Sequence, residues 1–232
     1  MNAEKLKRYP RHLSDSMRLK VVEAYLLHEF PSLREVIDTL IKNCEKYSNC
    51  EEIYDLFYGI SLVYKRKFIA KEITSESCSW RIGKVKLRYI KLSTNIDKLN
   101  KFKWELLENV VNNISEDEKK IIYQNSLKYY EKRGERVNDP IIVVKEGEKY
   151  RILDGNGRVL YKLAMSNFNL DEEIDAYIAE CKNYNNMCIP FGILHFIEDY
   201  PNKKEMVDIV NKLLDGIGRK FSKLRYLLRR NK

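Results

Sequence analysis

The sequence lacks any run of about 18 uninterrupted apolar residues, the length that a membrane-spanning helix requires. Its first residues carry charges from Glu4 onward and have no apolar core of the kind found in a secretory signal peptide. From these two absences we expect a cytoplasmic protein without a membrane span.

Residues that commonly bind metals are few and unsuitably spaced. The three histidines, His12, His28 and His195, are scattered, and no pair has the i, i+4 spacing of a helical zinc site. The five cysteines lie at positions 44, 50, 78, 181 and 188, and neither near-neighbour pair has the short gap of a zinc knuckle. We therefore expect no resident metal and reduced, structural thiols.

Positive charge is what the chain has in excess. The formal net charge is +9, which favours a polyanion as partner. Seven cations and no acid follow Gly218, namely Arg219, Lys220, Lys223, Arg225, Arg229, Arg230 and Lys232. A basic helix of this kind can lie along nucleic-acid phosphates, on an anionic membrane surface or against an acidic partner. DNA is our expectation, and a merely solvated charged face is the alternative.

The composition, 44% hydrophobic and 33% charged, is that of a folded chain. Apolar residues at helical spacing predict three helices in the first 78 residues, which start at Ser14 or Ser16, at the capping box Ser32-x-x-Glu35, and at Asn49. The last of these extends to Ala70. The polar run Thr74–Ser79 has no periodicity and marks a domain boundary near residue 78.

Strands and helices both follow this boundary. Strands are predicted at 84–92, 141–144, 149–153 and 174–179, the middle two forming a hairpin. Helices are predicted at 102–114, at 117–132 after the capping box Ser115-x-x-Glu118, and from Val159 onward. Further helices are expected beyond Pro190. The fold class is therefore α+β, with regions at 1–78, 79–180 and 181–232.

The segment Asp154-Gly155-Asn156-Gly157-Arg158 joins the second hairpin strand to the following helix. Its glycines allow positive φ and a close approach of the backbone to a ligand. The N-terminus of the helix attracts anions, and an arginine can grip phosphate oxygens with two hydrogen bonds. The segment is therefore suited to binding phosphate. Asp-Gly and Asn-Gly are also ordinary turn dipeptides, so a simple tight turn is the alternative.

The order of elements around this turn resembles the ParB/sulfiredoxin superfamily, over about residues 84–180. The resemblance is carried by Asp154-Gly155-x-x-Arg158, by Pro140 before the hairpin and by the strand at Ile174–Ile178. In that superfamily the turn holds nucleotide phosphates: CTP in chromosome-partitioning proteins, ATP in sulfiredoxin and ADP in a free-serine kinase. The resemblance implies a mixed α+β domain whose residues 154–158 bind a nucleoside di- or triphosphate, accompanied by Mg²⁺.

Departures from the family pattern narrow the function. Sulfiredoxin has a cysteine within the turn, where this chain has Asn156 and Gly157. Many members, including the kinase, have a histidine directly before the arginine, where this chain has Gly157. The expectation is a ParB-like nucleotide- and DNA-binding protein of the plasmid or chromosome partition type. A small-molecule kinase or nucleotide hydrolase is the enzymatic alternative, and a degenerate interaction domain is a third.

Other residues offer weaker candidates. Asp154 either orients Arg158, holds Mg²⁺ or caps the helix. Glu105 and Glu108 are the acids from which a kinase would draw its base, but both are expected on a polar helix face. The acidic residues Glu172, Glu173 and Asp175 are more typical of a solvated loop, and the aromatic residues Trp104, Tyr129, Tyr130 and Tyr150 of a core. The sequence leaves the oligomeric state open, a homodimer being one alternative.

Overall fold

The computed structural model describes residues 11–47, 50–63, 67–96 and 101–182. The chain divides into two units, with one division between Ser77 and Cys78 and another between Lys182 and Asn183. We call the residues up to Ser77 the helical unit and Cys78–Lys182 the sheet unit. Together they make the chain α+β, as predicted. The predicted C-terminal helices and their basic tail lie outside the described residues.

The described part of the helical unit has two short 3₁₀ helices, Arg11–Ser14 and Pro31–Leu33, and four α-helices: α1 (Ser16–Glu29), α2 (Arg34–Tyr47), α3 (Glu51–Val63) and α4 (Lys67–Thr74). The predicted single helix over 49–70 is thus wrong, because two helices occupy it. Asp15 caps α1 by accepting a hydrogen bond from the backbone N–H of Arg18 at 2.9 Å. The cap lies between the two serines from which the sequence predicted it.

Arg18 joins the first and last of these helices. It is 4% exposed, and its guanidinium donates to the backbone carbonyls of Ile73 and Ser75, where α4 ends. His12 reaches the carbonyl between them, that of Thr74, at 2.9 Å. Carbonyls at the end of a helix have no partner within it, and the helix dipole makes that end negative. A buried cation therefore completes the C-terminus of α4.

The sheet unit is built on six strands: β1 (Cys78–Lys86), β2 (Ile90–Ile96), β3 (Lys101–Leu106), β4 (Ile141–Glu146), β5 (Lys149–Asp154) and β6 (Glu173–Cys181). Their order in the sheet is β1-β6-β4-β5-β2-β3. The pairs β1/β6, β4/β5 and β2/β3 are antiparallel, whereas β4/β6 and β2/β5 are parallel. The predicted hairpin is confirmed as β4 and β5, and the strand predicted at 174–179 is confirmed as β6.

Three α-helices belong to the sheet unit: α5 (Leu107–Asn113), α6 (Glu116–Arg133) and α7 (Asn156–Met165), and a 3₁₀ helix at Gly134–Asn138 follows α6. Val159 and Leu163 of α7 are fully buried in the core of the unit with Ile141, Val143 and Ile152 from the central strands. The capping box predicted at Ser115 and Glu118 is present, and α6 ends at Gly134 as expected. None of the helices in the described ranges is long and apolar enough to cross a membrane.

The predicted helix at 102–114 is wrong in its first half, where residues 101–106 form β3. Phe102, Trp104 and Leu106 alternate with charged residues, which is the period of a strand. Trp104 and Leu107 also fit helical spacing, and that competing pattern hid the strand. The strand predicted at 84–92 is likewise two strands, β1 and β2, interrupted by a 3₁₀ turn at Leu87–Tyr89.

The cysteines differ from the expectation of reduced thiols. Cys44 is joined to Cys50, and Cys78 to Cys181, in two disulfides. The second pair is separated by 103 residues in sequence, so no local spacing indicates it. Antiparallel pairing of β1 with β6 brings Cys78 directly opposite Cys181.

Candidate functional site: the turn between β5 and α7

Gly155 makes the turn from β5 into α7. Its φ of 112° lies in the left-handed region, which disfavours any residue with a side chain. A Cβ at this position would lie 2.6 Å from Cγ2 of Ile141 and 3.0 Å from Nε of Arg158. Conformation and packing therefore both require glycine at position 155. Asn156, the next residue, is the first residue of α7.

Arg158 is turned into the protein. It is 2% exposed, and its Nη2 donates to the Asp154 carboxylate at 2.6 Å. Its Nη1 donates to the carbonyl of Pro140 at 2.6 Å and to that of Asp139 at 3.3 Å. The sequence predicted that this guanidinium faces a phosphate, but it instead joins β5, α7 and the loop before β4. We call these contacts of Arg158 with Asp154, Asp139 and Pro140 the brace.

Asp154 is the acidic partner of Arg158 in this brace. It is 8% exposed, and its carboxylate is four residues before Arg158, at the end of β5. Of the roles weighed for it, orientation of Arg158 is the one that this geometry supports. A Mg²⁺ ion accompanying a nucleotide would find its ligands on phosphate oxygens and water rather than on this carboxylate.

Gly157 serves the packing of α6 against α7. A Cβ on Gly157 would lie 2.7 Å from Cε2 of Tyr129, so the tyrosine ring occupies the space that a side chain would need. One turn further along, Tyr130 stacks on Tyr161 with ring centroids 5.7 Å apart. These tyrosines pack α6 against α7, but the predicted core position is wrong for Tyr130, which is 38% exposed. Asn156 and Gly157 remain half-buried at the start of α7.

The N-termini of α6 and α7 differ in charge and in capping. The first turn of α6 contains Glu116, Asp117 and Glu118, and hydrogen bonds from Ser115 lower the pKa of Glu118. The first turn of α7 contains no acid, and no side chain caps it. The positive end of the α6 dipole is therefore neutralised by its own acids, whereas no acid and no side-chain cap in the first turn of α7 offsets the dipole of that helix.

The acidic candidates are dispersed. Glu105 lies on β3 opposite Leu92, and β3 is separated from β5 by β2, so it lies two strand spacings, roughly 10 Å, from β5. Glu108 is in the first turn of α5. Glu172 pairs with Lys162 at 3.1 Å, while Glu173 and Asp175 are exposed on β6. The structure thus does not join these acids into one site.

Trp104 and Tyr150 pack against the core of the sheet unit, and Trp104 also donates to the carbonyl of Ile152 at 3.1 Å. The guanidinium of Arg151 lies over the indole, 5.1 Å from the ring centroid, and donates to Glu146 at 2.5 Å. Burial alone would raise the pKa of Glu146, but hydrogen bonds from Lys91 and Arg151 outweigh it, so the pKa is lowered. This network supports the sheet rather than the turn.

The carbonyls of Asp139 and Pro140 also belong to the site, and the sequence did not predict them. The only local signal is the Asp-Pro dipeptide, which is typical of a turn. The remaining predicted binding residues, Arg219 to Lys232, lie outside the described residues.

Replacing Arg158 with methionine should lower the free energy of unfolding by about 3–5 kcal/mol, because the Asp154 carboxylate would be left buried without a counter-ion. Urea unfolding followed by tryptophan fluorescence measures the free energy of unfolding of the sheet unit, because both tryptophans, Trp80 and Trp104, belong to that unit. Lys162→Met is the matched control on α7, because its ion pair with Glu172 is half-exposed and should contribute less than about 1 kcal/mol. Equal losses in the two variants would contradict the brace.

Comparison of the chain with protein-family models, with curated proteins and with solved structures found no match. The likeness to the ParB/sulfiredoxin superfamily therefore remains a prediction, which rests on the turn at 154–158 and on the elements around it.

Proposed function

We propose that the sheet unit binds the phosphates of a nucleoside di- or triphosphate at the start of α7. The observation that carries the proposal is the α7 N-terminus itself, which has a left-handed glycine before it, no side-chain cap and no acid in its first turn. The positive end of a helix dipole and the N–H groups of a first turn are suited to phosphate. The resemblance of residues 154–158 to a phosphate-binding turn supports the same ligand.

The residues of the turn take different parts in this proposal. The backbone N–H groups of Asn156 and Gly157 contact the phosphate, because these two residues form the start of α7 and are only half-buried. Gly155 supplies the left-handed turn. Arg158 and Asp154 are positioning residues, since each is more than nine-tenths buried and is bonded to the other.

We propose further that the cationic tail, Arg219 to Arg230, binds DNA, as in a ParB-like partition protein acting in the cytoplasm. Two features support this proposal: the positive charge of the tail, and the pairing of cations with acids on the surface of the sheet unit. Several surface cations of that unit are paired with acids, in the ion pairs Arg81–Glu180, Lys145–Glu180, Lys86–Asp171, Arg88–Asp171 and Lys162–Glu172. Cations neutralised in this way release few counter-ions on binding DNA, so the tail is the better candidate.

A small-molecule kinase is the rival function for the same turn. It needs a carboxylate base within hydrogen-bond reach of the substrate hydroxyl. Glu105 and Glu108 lie on β3 and α5, and among the described residues no hydrogen bond or ion pair joins either of them to the turn. We therefore propose binding without assigning a catalytic residue, and we propose a homodimer only by analogy with partition proteins.

Asn156→Asp should separate binding from folding. The new carboxylate repels a phosphate at the same helix end and should weaken nucleotide affinity tenfold or more, since unit charges 4 Å apart interact by roughly 4 kcal/mol near a surface. The same acid favours the helix by about 0.3–1 kcal/mol, so the unliganded protein should melt no earlier than the wild type.

The measurement is a thermal shift with CTP, ATP, ADP and GTP in the presence of Mg²⁺. A nucleotide at about 100 times its Kd should add about 2.7 kcal/mol to the wild type. Asn167→Asp is the control, because it adds the same charge beyond the other end of α7 and should leave the shift unchanged. No shift with any nucleotide, or equal loss in both variants, would overturn phosphate binding at this turn. Appearance of a phosphorylated product with amino acids or polyols would favour the kinase.

Neutralising Arg229 and Arg230 with glutamine should make DNA binding less salt-dependent. Each lost phosphate contact lowers the slope of log K against log salt by about 0.9, so the double variant should lose about 1.8. Fluorescence anisotropy of a labelled duplex between about 50 and 200 mM salt gives the slope. The control is Lys145→Gln with Lys162→Gln, two ion-paired cations whose loss should leave the slope unchanged. No affinity at low salt would refute DNA binding.

A further inference from the structure

The Cys78–Cys181 disulfide closes the sheet unit at its two ends. Cys78 is the first residue of β1 and of the unit, and Cys181 is the last residue of β6. The two are directly opposite in the register of the antiparallel pair. The bond therefore ties the point where the chain enters the sheet unit to the point where it leaves.

The two disulfides differ in how much chain they enclose. Cys78 and Cys181 are 103 residues apart, whereas Cys44 and Cys50 are six apart. A crosslink stabilises a fold mainly by restricting the unfolded chain, and the effect increases with the length of the closed loop. The long crosslink restricts nearly the whole unfolded sheet unit, so its loss should have the larger effect on stability.

The two disulfides also differ in accessibility. Cys44 is 0% exposed, Cys50 is 6% and Cys78 is 3%, but Cys181 is half-buried on the edge pair of strands. Thiol–disulfide exchange requires that an external thiolate reach one of the sulfurs. Of the four disulfide-bonded cysteines, Cys181 is therefore the one most accessible to an external thiolate.

We propose that Cys78–Cys181 is a reversible redox clasp, which sets the stability of the sheet unit according to the thiol–disulfide balance of its surroundings. For closure, the Cys181 thiolate attacks a small-molecule disulfide such as oxidised glutathione, forms a mixed disulfide and releases one thiolate. The Cys78 thiolate then attacks the mixed disulfide at the Cys181 sulfur and displaces the second thiolate. Two electrons pass from the protein to the small disulfide, and the two cysteine protons go to solvent. Reduced glutathione reverses both steps.

The clasp is tested on the full chain by its melting temperature at several ratios of reduced to oxidised glutathione, followed by tryptophan fluorescence. Both tryptophans belong to the sheet unit, so the signal reports that unit alone, and Trp80 is two residues from Cys78. Full reduction should lower the midpoint by more than about 10 °C, and reoxidation should restore it. Alkylation followed by mass spectrometry, at successive times after reductant is added, should find Cys78 and Cys181 modified together and earlier than Cys44 and Cys50.

Variants assign the effect to the bond. Cys78→Ser with Cys181→Ser should melt at the midpoint of the reduced wild type and should no longer respond to glutathione. Cys44→Ser with Cys50→Ser should keep the full response, and Cys188→Ser should keep it as well, which excludes exchange with the fifth cysteine. An identical fluorescence midpoint in the oxidised and reduced wild type would overturn the proposal, even if a variant failed to fold. Alkylation of Cys78 and Cys181 at every glutathione ratio would overturn it as well.

Discussion

The buried guanidinium of Arg158 is the constraint on which the candidate site depends. It donates to the Asp154 carboxylate at the end of β5 and to two backbone carbonyls, those of Asp139 and Pro140, that precede β4. Arg158 itself belongs to α7, so one side chain fixes the positions of three segments. An unpaired buried charge is far more costly than a paired one, so Arg158 and Asp154 hold each other in place.

In the proposed site, the brace leaves anion binding to the start of α7. Because Arg158 is compensated by Asp154, the attraction proposed for an anion comes from the helix dipole and from a first turn that contains no acid and has no side-chain cap. The same protein shows the alternative arrangement at α6, where a capping box and three acids satisfy the N-terminus. The contrast between α6 and α7 is the physical reason for proposing phosphate at one helix and not at the other.

The sequence predicted those elements in which local signals agree. The capping box at Ser115 defined α6, and the β-branched run after Pro140 defined the hairpin. Where two periodicities competed, as around Trp104, the helical pattern was chosen over a strand. Propensity is a weak guide in such a case, because pairing with β2 decides the outcome and is not visible locally.

Features that depend on distant partners were beyond local patterns. The residues of the turn were identified, but the direction of the Arg158 side chain depends on carbonyls 18 and 19 residues earlier in the chain. The Cys78–Cys181 disulfide depends on the pairing of the first and last strands of the sheet unit. Both follow from the fold and only indirectly from the residues nearby.

The central claim is that phosphate meets the backbone of Asn156 and Gly157 while Arg158 stays inside the protein. Two-dimensional ¹H–¹⁵N spectra of the full chain, titrated with nucleotide and Mg²⁺, test it directly. The amide signals of Asn156 and Gly157 should move most, and the Arg158 Nε–H signal should remain visible, slow to exchange and unshifted. A large shift of Arg158 Nε–H with the two amides unmoved would contradict the account, because the guanidinium would then be the phosphate ligand.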